Sequence, residues 1–151
     1  MSNKKNSILI KKISNIKNFK LPEYQSDEAS GVDLYASIKS DIIIQPWERE
    51  IIACGIAISM PKGMEAQVRP RSGLAFKYGI SVLNTPGTID SDYRGEIKVI
   101  LINLSKAIFI VHPLERIAQM VFSNVARVEF KEVDNLDETD RGSSGFGSTG
   151  K

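Results

Sequence analysis

Residues 50–68 read EIIACGIAISMPKGMEAQV, and this stretch decides the fold. Isoleucines and valine come in short runs whose dominant period is two, and the run Glu50–Met60 is separated from Met64–Val68 by the turn signal MPKG. The same grammar extends in both directions. Strand-like runs recur at Ile8–Ile10, Ile42–Gln45, Ile80–Leu83, Glu96–Asn103, Ala107–Val111, Arg116–Phe122, Val125–Val128 and Phe130–Val133. QPWE, TPG, DYRG and HPLE punctuate them. Many short strands at near-regular spacing predict an all-β sandwich or barrel. One helix is expected in RSGLAFKYG (71–79), with Ser72 as N-cap, Gly73–Tyr78 as the helical turn and Gly79 as the stop.

Composition bounds the function. A chain of 151 residues suits one domain with a proper core, and 42% hydrophobic with 25% charged residues is ordinary for a soluble globular protein. A formal charge of +2 gives no reason to invoke nucleic acid or a membrane as partner. The charge is uneven: residues 1–22 hold six lysines and no acid, and 129–140 hold six acids and one lysine. A single cysteine, Cys54, excludes an internal disulfide and is read as a small buried side chain in a reducing compartment. Apolar runs are too short to span a bilayer, and the N-terminus lacks the pattern of a signal or transit peptide. A cytoplasmic location is expected. From about Asp134 onward β-branched residues give way to Asp, Glu, Ser and Gly, so the domain is read as 1–133 and a flexible arm as 134–151.

Several stretches could carry chemistry. The tail RGSSGFGSTGK (141–151) is either a linker or a polyphosphate lid: its glycines admit close backbone approach, Arg141 supplies a cation, Ser148 and Thr149 supply hydroxyls, and Phe146 could lie on a nucleobase. RPRSGLAFKYG is either a capped helical turn or an anion site, with Arg71 and Ser72 beside the helix start. In VLNTPGTIDSDYRGEIKV (82–99) two strand-like pieces flank a turn near Tyr93–Gly95, which reads as a hairpin. Asn84 has the donor and acceptor that a pyrimidine edge needs, and Asp90 is either a turn residue or a carboxylate facing a pocket. SGVDLYA (30–36) reads as a turn at Gly31 capped by Asp33. In ERIAQMVF, alternation places Ile117 and Gln119 on one side. His112, the sole histidine, is read as structural.

In this order and spacing, SGVDLYA, PRSGLA, GTIDSDYRGE, RIAQMVF and RGSSGFGSTG resemble the five motifs of the trimeric deoxyuridine triphosphatases (dUTPases) across essentially the whole chain. The resemblance implies a jelly-roll-like β-barrel with one short helix. It also implies a homotrimer whose three active sites each draw on several subunits, the tail of one closing over the nucleotide of another. The implied reaction turns dUTP into dUMP and pyrophosphate by attack of water on the α-phosphorus, lowering dUTP and supplying dUMP for thymidylate synthesis. Asp90 would be the general base. Asn84, the Thr88–Ile89 backbone and Lys98 would read uracil, with Tyr93 packing under the deoxyribose and Phe146 stacking on the base. Arg71, Ser72, Gly73 and Gln119 would hold phosphates, and Arg141, Gly147, Ser148 and Thr149 would close on them. Mg²⁺ would be bound through the phosphates and water, with Asp33 meeting it through water; Arg116 is left structural. The alternatives are a dCTP deaminase-type or bifunctional enzyme on the same fold, a catalytically silent nucleotide-binding regulator, and a structural all-β protein.

Overall fold

The structure is a computed structural model and describes residues 7–145. In chain order the elements are β1 (Leu9–Lys12), β2 (Gly31–Tyr35), β3 (Ile42–Ile44), β4 (Arg49–Ala53), β5 (Ile56–Ser59), β6 (Met64–Arg69), α1 (Ser72–Tyr78), β7 (Ile80–Val82), β8 (Gly87–Asp90), β9 (Lys98–Asn103), β10 (Phe109–Val111) and β11 (Arg116–Asn124). The expectation of a β protein with one short helix holds. Among the described residues the strands form a four-stranded sheet β2-β11-β6-β8, a three-stranded sheet β4-β9-β7, and the pairs β1-β5 and β10-β3.

Alternation divides the four-stranded sheet into two chemically distinct faces. Val32, Leu34, Ala66, Val68, Ile89, Ala118 and Met120 are buried in the core, with Ile52, Ile56, Val99 and Leu101 from the neighbouring sheets. Truncating one of the fully buried branched side chains, such as Leu34 or Ile52, to alanine would cost about 2–5 kcal/mol. The other face carries Asp33, Glu65, Gln67, Arg69, Thr88, Asp90 and Gln119, placed side by side by the register Asp33↔Gln119↔Arg69, Gln67↔Thr88 and Glu65↔Asp90. A chain of side-chain bonds runs along β6 on this face: Arg69 donates to Gln67 Oε1, and Gln67 Nε2 donates to Glu65 Oε1.

Five local expectations need correction. The run Glu50–Met60 is two strands, because the chain turns at Gly55, whose φ is +68°. A side chain there would stand 2.6 Å from Ser14 Cβ and Ser37 Oγ, and the Gly55 carbonyl accepts the amides of Ile13 and Ser14. SGVDLYA is not a capped turn but strand β2, with Gly31 paired to Val121. On β11 a bulge between Arg116 and Ala118 shifts the phase. Ile117 and Ala118 are therefore both buried in the core, and Ile117 does not share a side with Gln119. Ser72 is the first helical residue rather than the N-cap; Arg71 holds the cap position with extended backbone and no side-chain capping bond, while Gly79 ends the helix as expected. Val125–Val128 and Phe130–Val133 form no strand, since no ladder partner meets them.

Two corners bend against ordinary preference. Gln45–Glu48 and His112–Glu115 each place proline second and close with an amide-to-carbonyl bond, from Glu48 to Gln45 and from Glu115 to His112. The third residue of each has positive φ, +67° at Trp47 and +62° at Leu114. This is the type II pattern, whose third position normally takes glycine.

Cys54 and His112 stand in contrasting surroundings. Cys54 is buried, and desolvation, helped by the nearby Glu96, pushes its thiol up to about 12. His112 Nδ1 lies 2.9 Å from Asp41 Oδ1, and that hydrogen bond and charge raise its pKa above the ordinary 6.5.

Candidate active site

The candidate site residues fall into two groups. The first is assembled around Asp33, a buried carboxylate on β2, an edge strand of the four-stranded sheet. Arg71 Nε reaches Asp33 Oδ1 at 2.9 Å, and Arg116 Nη1 reaches Oδ2 at 3.2 Å. Arg71 also donates to the Arg116 carbonyl, and Gln119 Nε2 donates to the Pro70 carbonyl at 2.9 Å. The β11 bulge explains this company. Without the extra residue, Arg116 would follow Ala118 toward the core; with it, Arg116 turns to the side of Gln119 and Asp33. Two guanidiniums on one carboxylate leave a net positive charge, and N–H groups of both forks remain for another anion. Ser72 and Gly73 begin α1 beside Arg71, ahead of its first backbone bond from Ala75 to Arg71, and a side chain on Gly73 would meet only open space.

The second group surrounds a cleft of about 280 Å³ lined by Thr88, Ile89, Asp90, Tyr93, Glu96, Ile97 and Lys98. It is not a paired hairpin, contrary to expectation. β8 pairs with β6, and β9 pairs with β4 and β7, so the two limbs belong to different sheets and splay apart. The turn also starts earlier, with the Tyr93 amide donating to the Asp90 carbonyl. Arg94 secures it by donating to the Ser91 and Tyr93 carbonyls. The Tyr93 ring folds back across Gly95, where any Cβ would collide with it, and its hydroxyl donates to the Glu96 carbonyl at 3.1 Å. A smaller hollow of about 60 Å³ joins Asn84 and Gly87 to Thr88, Ile89 and Lys98, so the expected base-reading residues do converge. Asp90 stands exposed at the end of β8, on the cleft rim.

The two groups do not meet within one chain. Asp90 pairs with Glu65 at one end of β6, and Gln119 pairs with Arg69 at the other. That separates them by about 13 Å along the strands and about 10 Å across two strand spacings. Arg141 joins neither group: its Nε donates locally, to the Ser144 carbonyl. Phe146, Gly147, Ser148 and Thr149 lie outside the described residues.

The structure adds two residues to the candidate groups. Arg116, structural by its sequence, shares Asp33 with Arg71; only the bulge reveals this pairing, and a bulge needs the partner strand to be seen. Glu96 closes the GTIDSDYRGE motif with no role expected of it, and it lines the cleft.

The donor set speaks to magnesium. Among the described residues no group of three or more His, Cys, Asp or Glu side chains is placed to hold a metal ion. Asp33 already spends one oxygen on each arginine. This fits an ion that keeps its waters and takes phosphate oxygens rather than one caged by protein.

A protein-family model described as dUTPase matches residues 17–150. The chain is 52% identical over 149 residues to the deoxyuridine 5'-triphosphate nucleotidohydrolase of Cytophaga hutchinsonii, covering 99% of this chain and 97% of that one. It is 57% identical over 141 residues to the enzyme of the same name from Rickettsia canadensis, covering 92% and 95%. Among solved structures, a variant dUTPase of Staphylococcus bacteriophage 80alpha with dUpNHpp superposes with a TM-score of 0.87 at 24% identity, over 97% of this chain and 99% of that one. A variant dUTPase from phage phi11 of S. aureus, described with a structural Mg(II) ion, gives 0.78 at 19% identity over 88% and 100%. With the family model and these relatives in agreement, the chain belongs to the dUTPase family.

Proposed function

We propose that this chain hydrolyses dUTP to dUMP and pyrophosphate in active sites shared between copies of a homotrimer of jelly-roll barrels. The observation that carries the reading is the separation of the two groups: the Asp90 cleft and the Asp33–Arg71–Arg116–Gln119 cluster lie at opposite ends of β6 and do not meet within a single chain. Rotation about a threefold axis would bring the cleft of one copy to the cluster of the next.

In the assembled site Asn84, the Thr88–Ile89 backbone and Lys98 would take the uracil edge, with Tyr93 beneath the deoxyribose. Tyr93, already held against Gly95 and Glu96, leaves little room for a 2′-hydroxyl. Arg71, Ser72, Gly73 and Gln119 of the adjacent copy would neutralise the phosphates, with Arg116 now added to them. Asp90 Oδ would accept a proton from a water aimed at the α-phosphorus, and pyrophosphate would leave opposite. Mg²⁺, held by the phosphates and water with Asp33 near through water, would supply further charge neutralisation to the leaving group. The arm 134–151 would close on a neighbour's nucleotide, bringing Arg141, Phe146, Gly147, Ser148 and Thr149. A cytoplasmic location belongs to the same reading; no helix among the described residues is long and apolar enough to cross a membrane.

Co-expression of two inactive variants tests this. Asp90→Asn chains keep the cluster, and Arg71→Ala chains keep the base. A shared site predicts that mixed assemblies regain turnover in roughly one site in four, from random pairing around the ring. No recovery in verified mixed trimers would defeat it. Release of pyrophosphate from dUTP, without ammonia from dCTP, separates hydrolysis from deamination and from a silent regulator.

A further inference from the structure

A splayed turn raises a question that a paired hairpin would not: what fixes its width? No ladder joins β8 to β9, so cross-strand bonds cannot set the distance between the cleft walls. The β8 limb is held by β6. The return limb, residues 96–97, lies against the corner between β4 and β5. There the Ile97 amide donates to Ile56, and the Cys54 amide donates to the Ile97 carbonyl. One side chain adds to these bonds. Glu96 Oε1 accepts the Gly55 amide at 3.0 Å in a part-buried position.

The corner makes a stiff anchor. Gly55 has positive φ, is crowded by Ser14 and Ser37, and binds Ile13 and Ser14 through its carbonyl. The carbonyl of the same Glu96 accepts the Tyr93 hydroxyl. Glu96 therefore faces both ways, its side chain toward the fixed corner and its backbone toward the ring that forms part of the cleft lining.

We propose that Glu96 is a positioning residue for nucleotide selection: its carboxylate pins the return limb to Gly55 and so sets where Tyr93 sits and how wide the cleft is. This rests on the reading that the cleft takes the deoxynucleoside. A carboxylate bonded to a backbone N–H is charge-assisted and stronger than a neutral pair. Its loss frees the limb to drift by a fraction of an ångström, and such a drift at a selecting ring costs about tenfold.

The test compares kcat and KM for dUTP and UTP in Glu96→Ala, Glu96→Gln and Tyr93→Ala. Glu96→Ala is expected to raise KM for dUTP and lower the dUTP-over-UTP preference, each about tenfold, with kcat nearly unchanged. Glu96→Gln, which keeps an oxygen acceptor for Gly55, should restore both. A residue that merely stabilised the fold would lower the melting temperature and the active fraction and leave the preference alone. Should Glu96→Ala not fold, Glu96→Asp serves, since the shorter arm breaks the same bond. If Tyr93→Ala collapses the preference and neither Glu96→Ala nor Glu96→Asp changes it, the assignment of Glu96 falls while the cleft reading stands. If none of them changes it, the cleft does not read the sugar and both fall.

Discussion

The two halves of the site are built from different materials. The cluster half is made of side chains: two arginines and a glutamine gathered on or beside a buried carboxylate, with geometry fixed by ion pairs. The cleft half is made largely of backbone, a loop stretched between two sheets and closed by main-chain carbonyls that accept Tyr93, Arg94 and the turn amide. A polyanion is gripped by charge, and the guanidinium forks supply it in fixed directions. A neutral base is distinguished by shape and by donor–acceptor order, which backbone supplies with little freedom to drift. The lesson is that substitutions should be felt differently on the two sides.

The sharpest way to break this contrast is at Asp90, the cleft residue proposed to act as the base. Asp90→Asn should lower pyrophosphate release by about 10²–10⁴ while calorimetric binding of the nucleotide survives. Turnover near that of the unaltered chain would remove Asp90 as the base. Next in size, deleting 141–151 should lower turnover by about 10² or more, through lost closure, with circular dichroism and sedimentation unchanged. A truncated chain of full activity would reduce the tail to a linker.

Asp33→Asn measures the charge-built half. It should lower kcat/KM by about 10–100-fold, because Arg71 and Arg116 lose the group that aims them. Thr88→Val, on the backbone-built half, should stay within about threefold. Equal effects would erase the distinction drawn here. The smallest expected effect lies outside both halves. His112 is raised by Asp41, so its pairing stabilises the fold fully below about 6.5 and the gain is lost as pH climbs through the higher folded value. The melting-temperature gap between the unaltered chain and His112→Ala should therefore narrow from pH 5.5 to 9, with turnover at neutral pH unchanged.

Much of this was legible in the chain itself. Period-two runs and proline–glycine punctuation marked ten of the eleven strands, counting β8 among the pieces flanking the turn and β4 and β5 as one run, along with the helix and its stop at Gly79. The strand that escaped was β2, where Gly31 and Asp33 imitate turn chemistry and only pairing with β11 overrides it. The break at Gly55 escaped too, because a glycine between isoleucines looks like a strand interior until Ser14 and Ser37 crowd it. Val125–Val133 misled in the opposite direction: β-branched residues favour a strand, but a strand also needs a neighbour. The candidate site residues were named through motif order, and what motif order could not convey was distance. Neither the gap between Asp90 and Gln119 nor the meeting of Arg116 with Asp33 follows from spacing along the chain.

The corner at Trp47 points to one practical consequence. A large residue held left-handed costs about 1–2 kcal/mol, and Trp47 is 64% exposed, so little packing repays that cost. Replacing it with glycine should recover up to about 1 kcal/mol after the added freedom of the unfolded chain is counted. A hardier catalyst could thus be obtained by editing a single bend, leaving interior and chemistry alone.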